Sequence, residues 1–384
     1  MVASALALGG ALFVILGARV DRRWTDIHMT THFCAESARE LNRGTALGWT
    51  GIVVGALIVA ASPLVGRWAG RRSWRQVVST TLRIAVATVL ALFAADEVLR
   101  LRGHEGPVVR PVAHFEPDSE VDPLFVYRPI PSHVTEMDVG DRHLRFVIDA
   151  NDWRVRSPDD VVDFARPTVL FTGESTASGF GLNYEETYPF RVGQDLGVQV
   201  VNVAVQGYGN DAAFVRLHDA LVPFEHPVAT VTLINQMMID RNAWPDRPHL
   251  LVRDDGSLFL EPIRKEDGWV ARSPLLRIAS SVVHSDEALR RARMYIQATA
   301  RETRARGGFP LFIFTNFRVP CLPDETGVQS LDRYLFEGLD VVHVRVDLGE
   351  DTYDPVISHP NAAAQAQLAA AVSRSLREHG VGGR

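Results

Sequence analysis

The segment GESTASGFG (residues 173–181) follows a short apolar run and carries a serine among glycines and other small residues. In an open α/β sheet, ligands collect at the carboxyl ends of the strands, so a turn at this place can hold reacting groups. Small neighbours also let a substrate and backbone amides approach the Ser175 hydroxyl. Ser175 is therefore a candidate nucleophile. The alternatives are a plain helix N-cap and a phosphate cradle, although the segment lacks G-x-x-x-x-G-K-S/T and a complete dinucleotide fingerprint.

A serine nucleophile needs a base, because its hydroxyl barely ionises at neutral pH. Among the 13 histidines, His359 stands out within DPVISHPN (residues 354–361), between the last apolar run and the last helical pattern. This position places it at the same end of the sheet as Ser175. A histidine ahead of a helix is by itself more often a solvated cap, but its place opposite Ser175 favours the role of base.

Short apolar runs alternate with helical patterns through the second half of the chain. The runs are TVLFTG, VQVVNVAV, VATVTLI, FPLFIFTN and VVHVRVD. The predicted helices are Tyr188 to Leu196, Asp211 to Leu221, Asp286 to Arg306 and Asn361 to His379. Five strands separated by helices indicate an α/β fold with a parallel sheet. The segment LLVRDDGSLFLEP predicts an inserted hairpin that turns at Asp255 and Gly256.

Apolar stretches near the length that crosses a bilayer, about 20 residues, dominate the first hundred residues. They are Met1 to Ala18, Ala46 to Gly66 and Val77 to Leu99. The first could instead be a cleaved signal peptide, and the third, which includes Asp96 and Glu97, an interfacial or core helix. We therefore predict a membrane region with two or three transmembrane helices over residues 1–102. A proline-rich linker over residues 103–140 and a catalytic domain over residues 141–384 follow.

Arginines between the predicted spans bear on the orientation in the membrane. The loop between the second and third stretches holds four and no acidic residue: Arg67, Arg71, Arg72 and Arg75. Basic loops favour the cytoplasm, which would put the C-terminal domain outside. The first loop favours the opposite orientation through Arg19, Arg22, Arg23, Arg39 and Arg43.

Composition excludes several classes of protein. The chain has 384 residues, of which 46% are hydrophobic and 22% charged, so it is not disordered. A net charge of -6 argues against a general nucleic-acid-binding protein. Two cysteines cannot build a disulfide framework or a four-cysteine zinc site. His28 and His32, near Cys34, have a spacing that suits a metal, but a solvated loop is the simpler interpretation. Three tryptophans are expected to be packing residues: Trp153, Trp244 and Trp269.

Three blocks resemble, in their order and spacing, the SGNH or GDSL-type hydrolases. The blocks are FTGESTASGFGLNYEETYPFRV, VNVAVQGYGND and SHPNAAAQAQLAAAV. The preceding FVIDANDWRVRSP resembles the segment that leads into the first strand in many membrane-attached members. The resemblance implies a three-layer α/β/α (flavodoxin-like) sandwich with a central five-stranded parallel sheet, preceded by N-terminal transmembrane helices.

The resemblance also implies a role for each matching residue. Ser175 would be the nucleophile and His359 the base. The backbone amides of Ser175 and Gly207 would form the oxyanion hole, and Asn202 would brace the loop that carries Gly207. This set is coherent, because it provides a proton acceptor and two fixed N–H groups for the developing charge. No metal or organic cofactor is implied.

The sequence departs from the family in three places. Glu174 stands where an aspartate is usual. After the third strand the family has G-x-N-D, whereas this chain has INQMMIDRN (residues 234–242), so Asn235 or Asn242 is the candidate third oxyanion donor, or that donor is absent. The acid usually lies three residues before the histidine, where this chain has Val356. Asp354 is the candidate acid, and a backbone carbonyl is the alternative partner of the ring.

These features predict a membrane-anchored SGNH-type serine esterase that hydrolyses an acyl or O-acetyl ester. Its expected partners are an ester-bearing substrate, either a lipid or an acylated glycan, and the lipid bilayer, but no nucleic acid. The expected location is the cell membrane, with several spans and an extracytoplasmic catalytic domain. An O-acyltransferase acting on envelope glycans and a non-catalytic binding or assembly protein are the alternatives.

Overall fold

The computed structural model of the chain describes residues 2–20, 24, 34–101, 119–122, 125–242, 249–253, 255, 257–261, 273, 286–316, 330–357 and 359–382. Several residues named above lie outside this described part: Arg22, Arg23, His28, His32, Trp244, Gly256 and Trp269.

Three apolar helices open the chain: α1 (Val2–Arg19), α2 (Cys34–Gly70) and α3 (Trp74–Leu101). Within the described residues, two segments are long and apolar enough to cross a membrane, Thr45–Gly70 and Trp74–Val98, and the apolar part of α1 is shorter. Only 6% of the apolar window of α3 is buried, so α3 does not have the surroundings of a core helix. The predicted second and third stretches therefore lie within helices.

The remaining elements follow in chain order. The first group is β1 (Ser119–Asp122), β2 (Val126–Pro129), β3 (His133–Val139), β4 (Arg142–Ile148), β5 (Arg154–Val155), β6 (Thr168–Thr172), α4 (Ser175–Ser178), α5 (Tyr188–Leu196), β7 (Gln199–Asn202) and α6 (Asn210–Leu221). The second group is β8 (Pro227–Ile234), α7 (Gln236–Arg241), β9 (His249–Val252), β10 (Leu258–Glu261), α8 (Asp286–Ala305), β11 (Phe309–Asn316), α9 (Ser330–Phe336), β12 (Val342–Asp347) and α10 (Ala362–Glu378).

The main sheet has eight strands in the order β12-β11-β8-β6-β7-β5-β4-β3. The first five are parallel and are the five strands that the apolar runs predict. The other three continue the sheet in antiparallel fashion. The predicted α/β class is confirmed, with a central sheet that is mostly parallel.

Side chains alternate between the two faces of the sheet, as the period of a strand requires. On β6, Val169 and Phe171 pack in one core cluster with α5 and α10, whereas Leu170 packs in another with α6. On β11, Phe312 and Phe314 pack against α8. Helices thus cover both faces, which gives three layers. The tight fit of the core keeps the carboxyl ends of the strands in register, and these ends carry the candidate site.

The stretch predicted as a linker, residues 103–140, contains part of the sheet. β3 pairs with β4 along seven residues, and the turn between them uses Gly140 with a φ of 63°. β5 links β4 to β7 through Arg154, which pairs with Asn202. Trp153, next to it, packs against Phe224 with ring centroids 5.9 Å apart, so its expected packing role is confirmed. The edge strands therefore reach the core of the domain.

The predicted inserted hairpin is confirmed as well. β9 and β10 pair in antiparallel fashion, from His249 opposite Glu261 to Val252 opposite Leu258. The hairpin is a separate two-stranded sheet, and β9 packs against α6 and α8 beside the main sheet.

Candidate active site

The turn after β6 places Ser175 at the carboxyl edge of the sheet. Gly173 has a φ of 149°, and a Cβ there would lie 2.9 Å from the Cβ of Ala177, so only glycine fits. The cap of the short helix α4 is Glu174, whose Oε1 accepts the Thr176 N–H at 3.0 Å. Ser175 is therefore not the N-cap of α4, which was one of the alternatives. The hydroxyl of Ser175 is free of capping and can contact other side chains.

His359 contacts Ser175 across 184 residues of sequence, with 3.1 Å between Nε2 and Oγ. The other ring nitrogen, Nδ1, lies 2.8 Å from the carbonyl oxygen of Ile357. Because a carbonyl oxygen only accepts, Nδ1 carries a proton, which leaves Nε2 as the ring nitrogen that faces the serine. The two residues that the sequence selects are therefore brought together at a distance that permits proton transfer.

Asp354 does not contact the imidazole. Its Oδ1 accepts the backbone N–H groups of Val356 at 2.8 Å and Ile357 at 3.2 Å, which closes a turn within the histidine loop. The prediction of Asp354 as the catalytic acid is corrected here. The partner of the ring is the Ile357 carbonyl, the alternative left open by the sequence, because the aspartate satisfies nearby amides instead.

Glu174 is fully buried and touches the nucleophile. The Ser175 hydroxyl donates to its Oε2, and Arg241 Nη1 lies 3.9 Å from the same oxygen. Burial alone would raise the pKa of this carboxyl, but Arg241 and hydrogen bonds from Ser175 and Thr176 outweigh burial and lower it. Glu174 is therefore ionised at neutral pH, and the serine hydroxyl has two acceptors, this carboxylate and His359.

The loop after β7 carries Gly207, which has a φ of 75° and sits in the left-handed region. Asn202 braces this loop as expected, because its Nδ2 donates to the Ala177 carbonyl at 2.9 Å and its Oδ1 accepts the Ala204 N–H at 3.1 Å. Arg241 Nη1 also donates to the Tyr208 carbonyl at 3.0 Å. The Gly207 loop is thus fastened to the nucleophile turn. An oxyanion role for its N–H stays a prediction.

The candidate third oxyanion donors are used elsewhere. Asn235 is fully buried, donates through Nδ2 to Glu174 Oε1 at 2.9 Å and caps the Met238 N–H at 3.0 Å through Oδ1. Asn242 exchanges hydrogen bonds with Asn210 at the start of α6. The prediction that Asn235 is an oxyanion donor is corrected here, because Asn235 instead supports the Glu174 carboxylate. The reason is that the asparagine directly after β8 turns inward, behind the carboxylate.

Three residues near the site were not found by sequence reasoning: Arg241, Phe180 and Arg154. Arg241 joins Glu174 to the Gly207 loop, and the Phe180 ring lies 4.8 Å from the His359 ring. Arg154 donates to carbonyls that follow α4. Their contacts cross between elements, so no local spacing signals them. Among the described residues, no group of three or more histidine, cysteine, aspartate or glutamate side chains is placed to hold a metal ion.

No protein-family model and no curated protein matches the chain. Similar solved structures include TesA, 16% identical with a TM-score of 0.33 over 55% of this chain and 98% of that chain. A protein of the lipolytic G-D-S-L family from Desulfitobacterium hafniense is 12% identical, with a TM-score of 0.34 over 54% of this chain and 98% of that chain. Est24, a carbohydrate acetylesterase from Sinorhizobium meliloti, is 11% identical, with a TM-score of 0.33 over 56% of this chain and all of that chain.

Proposed function

We propose that this protein is a membrane-anchored serine esterase of the SGNH type. The observation that carries the proposal is the 3.1 Å contact between Ser175 Oγ and His359 Nε2, with Nδ1 held by a carbonyl. A nucleophile within hydrogen-bonding reach of an oriented base is the arrangement that acyl transfer requires. The anchoring part of the proposal is supported by the two apolar helices of spanning length.

In the proposed reaction, His359 Nε2 takes the hydroxyl proton while Ser175 Oγ attacks the ester carbonyl. The carbonyl oxygen becomes an oxyanion, for which the backbone N–H groups of Ser175 and Gly207 are the proposed donors. His359 then returns the proton to the leaving alcohol, and the acyl-enzyme forms. Water activated by the same imidazole attacks the acyl-enzyme and releases the acid.

The proposed substrate is a lipid or an acylated glycan that carries an acyl or O-acetyl ester. If a sugar hydroxyl replaced water in the second half of the reaction, the same residues would carry out acyl transfer. Product analysis with and without a sugar acceptor separates these two outcomes.

Covalent labelling tests the proposal directly. A fluorophosphonate probe reacts with an activated serine, so the full-length protein in detergent should be labelled at Ser175. Ser175→Ala should remove the label, while Ser178→Ala is the matched control, because Ser178 is a buried serine three residues along the same helix. Equal labelling of wild type and Ser175→Ala, or no labelling of folded wild type, would contradict the proposal.

Hydrolysis of a short aryl ester adds a second test. Ser175→Ala, His359→Ala and the double variant should lose turnover by similar factors, because members of one catalytic unit are strongly non-additive. On the serine proteases that define this chemistry, such losses reach several orders of magnitude. Turnover near the wild-type level in either single variant would show that the assigned pair is not the catalyst.

A further inference from the structure

Among the described residues, no carboxylate contacts the ring of the candidate base, so we ask which other groups fix its orientation. One is the Ile357 carbonyl on Nδ1, at 2.8 Å. The other is Phe180, whose ring meets the imidazole edge to face, with centroids 4.8 Å apart and an interplanar angle of 65°. Aromatic rings in contact prefer an offset or edge-to-face geometry. The position of Phe180 therefore bears on the direction of the Nε2 lone pair.

Phe180 belongs to the loop of residues 179–182 that follows α4, and this loop also touches the support of the histidine. Gly181 has a φ of 75°, and a Cβ added to it would overlap Cδ1 of Ile357. The loop thus makes two contacts near the base. Phe180 contacts the imidazole, and Gly181 contacts Ile357, whose carbonyl accepts from the ring. A displacement of this loop would move both contacts of His359.

Arg154 fastens this loop to the sheet. Its Nη1 donates to the carbonyls of Ser178 and Gly179, the latter at 2.8 Å, and its Nη2 donates to the Leu182 carbonyl at 2.5 Å. The backbone of Arg154 is itself fixed in β5, between β4 and β7. One planar guanidinium therefore joins both ends of the loop to a rigid strand.

The burial of this guanidinium is costly, which argues for a role beyond packing. Arg154 is 2% exposed, lies 4.0 Å above the ring of Phe146, and has no carboxylate within ion-pair distance among the described residues. Burial lowers the pKa of Arg154 to about 9, against an ordinary value of 12.5. Burying a cation that has no acid beside it is costly, and the hydrogen bonds to the loop carbonyls are what offset that cost here.

We propose that Arg154 is a positioning residue for His359. It holds the 179–182 loop so that Phe180 and Gly181 fix the imidazole and its carbonyl partner, which replaces the orienting carboxylate of a serine triad. The inference rests on the proposed function, since it assigns to Arg154 an effect on the Ser175 and His359 pair. If Arg154 is a positioning residue, its effect on the chemical step passes through the 179–182 loop. It then makes no contact with the substrate.

The test compares kcat and KM of full-length variants in detergent on a short aryl ester. Arg154→Lys keeps the charge but cannot reproduce the planar fork, so kcat should fall about tenfold or more with KM nearly unchanged. Phe180→Leu should also lower kcat. Phe180→Tyr, which keeps the aromatic ring, should have a kcat near that of wild type. The double variant Arg154→Lys with Phe180→Leu should be no slower than Arg154→Lys alone, because both substitutions act on one contact.

Arg291→Lys is the control for a purely structural effect. Arg291, on α8, is 3% exposed and pairs with Glu261 and Glu287, and it does not contact the 179–182 loop, so its variant should lose stability and keep kcat. Wild-type kcat in a folded Arg154→Lys variant would overturn this inference but not the proposed function. Full additivity of Arg154→Lys and Phe180→Leu would do the same. If Arg154→Lys does not fold, wild-type kcat in Phe180→Leu overturns it. A wild type that neither hydrolyses nor labels overturns the proposed function, and this inference with it.

Discussion

At Ser175, one hydroxyl proton faces two acceptors, the Glu174 carboxylate and His359 Nε2. The carboxylate is ionised and is contacted by Arg241 and Asn235, which keep it beside the serine hydroxyl. A carboxylate whose pKa is lowered is a weak base, so in the proposed reaction the imidazole removes the proton. Glutamate in place of aspartate gives the carboxylate the reach to touch the serine as well as the Thr176 amide.

Glu174→Gln tests the charge of this carboxylate through stability. Folding lowers the pKa of Glu174 below its ordinary 4.5, so the ionised group stabilises the fold above that pH, and the stabilisation disappears as pH falls through the folded-state value. At pH 7 the free energy of unfolding of the variant should be about 1–3 kcal/mol lower than that of wild type. The difference should shrink steadily from about pH 5 downward, as followed by thermal melting.

Glu185→Gln is the matched control, because Glu185 is exposed on the neighbouring turn. Its melting temperature should stay near that of wild type at every pH. A Glu174→Gln variant as stable as wild type at pH 7 would mean that the carboxylate is not the anchored anion described above.

The sequence predicts the two reacting residues but not all of their surroundings. Ser175 and His359 stand out because each follows a strand and precedes a helix, a pattern that is local. Asp354 and Asn235 were misassigned because both have the right type near the right place, and only the loop geometry shows which amide or carboxylate they bind. Arg154 acts on residues 24 to 28 positions away, across the sheet. No spacing along the chain encodes such a contact.

Among the elements, the parallel strands were predictable and the antiparallel edge was not. A buried parallel strand such as β8 is an unbroken apolar run, which the sequence displays directly. β3 instead alternates half-buried and exposed residues and includes Glu136 and Asp138, and β5 has only two residues. The prolines that precede β3, from Pro107 to Pro131, predicted a linker that runs to residue 140. The edge bears on the proposed role of Arg154, because β5 carries this residue.

The last helix, α10, begins directly after the histidine loop and depends on its cap. Asn361 Oδ1 accepts the N–H groups of Ala363 and Ala364, at 2.9 and 3.2 Å. Asn361→Ala should therefore cost about 1 kcal/mol of stability, which lowers the melting temperature by roughly 2–4 °C in a domain of this size. Asn361→Asp keeps the cap acceptor but loses the hydrogen bond from Nδ2 to the Asp351 carbonyl, at 3.0 Å, so it should recover only part of this stability.

Gln367→Ala, on an exposed position of the same helix, serves as the control for a change that removes no cap. It should leave the melting temperature unchanged or slightly higher, because alanine favours helix. If Asn361→Ala melts together with the control, the cap contributes nothing measurable to α10.

At the scale of the whole molecule, the N-terminal helices expose an apolar surface of the kind that a lipid bilayer can cover. α1 and α2 pack so closely that a Cβ on Gly55 would lie 2.5 Å from the Gly10 carbonyl, and one on Gly17 would lie 2.6 Å from the Gly48 carbonyl. Small residues permit such contacts between membrane helices. Large apolar side chains face outward, such as Leu57 and Phe93, each 64% exposed. An apolar surface of this extent is unstable in water.

We therefore expect the full-length protein to need detergent or lipid. After cell fractionation it should remain with membranes through carbonate washing and enter the detergent phase on extraction. Both outcomes follow because the exposed apolar faces of α2 and α3 would otherwise contact water. Recovery of the unprocessed chain in the soluble fraction would contradict a membrane anchor.

The orientation of the C-terminal domain is a separate proposal, and it rests on the arginines at the end of α2, at the start of α3 and in the connection between them. Arg67, Arg71, Arg72 and Arg75 are all exposed around this short connection, with no acidic residue among them. Basic residues close to the ends of spans stay in the cytoplasm. The arginines of the first loop favour the reverse, since Arg39 and Arg43 also lie close to the span that starts at Thr45, but among the described residues the second connection is the one that joins two segments of spanning length. We propose that α3 exits on the extracytoplasmic side.

Reporter fusions test this orientation at two points of the chain. Alkaline phosphatase is active only when exported and green fluorescent protein is normally fluorescent only when retained. After Arg102, the phosphatase fusion should be active and the fluorescent fusion dark. After Arg72, between α2 and α3, the pattern should reverse, since one span separates the two points. Fluorescence without phosphatase activity after Arg102 would place the domain in the cytoplasm and direct the search for its ester substrate there.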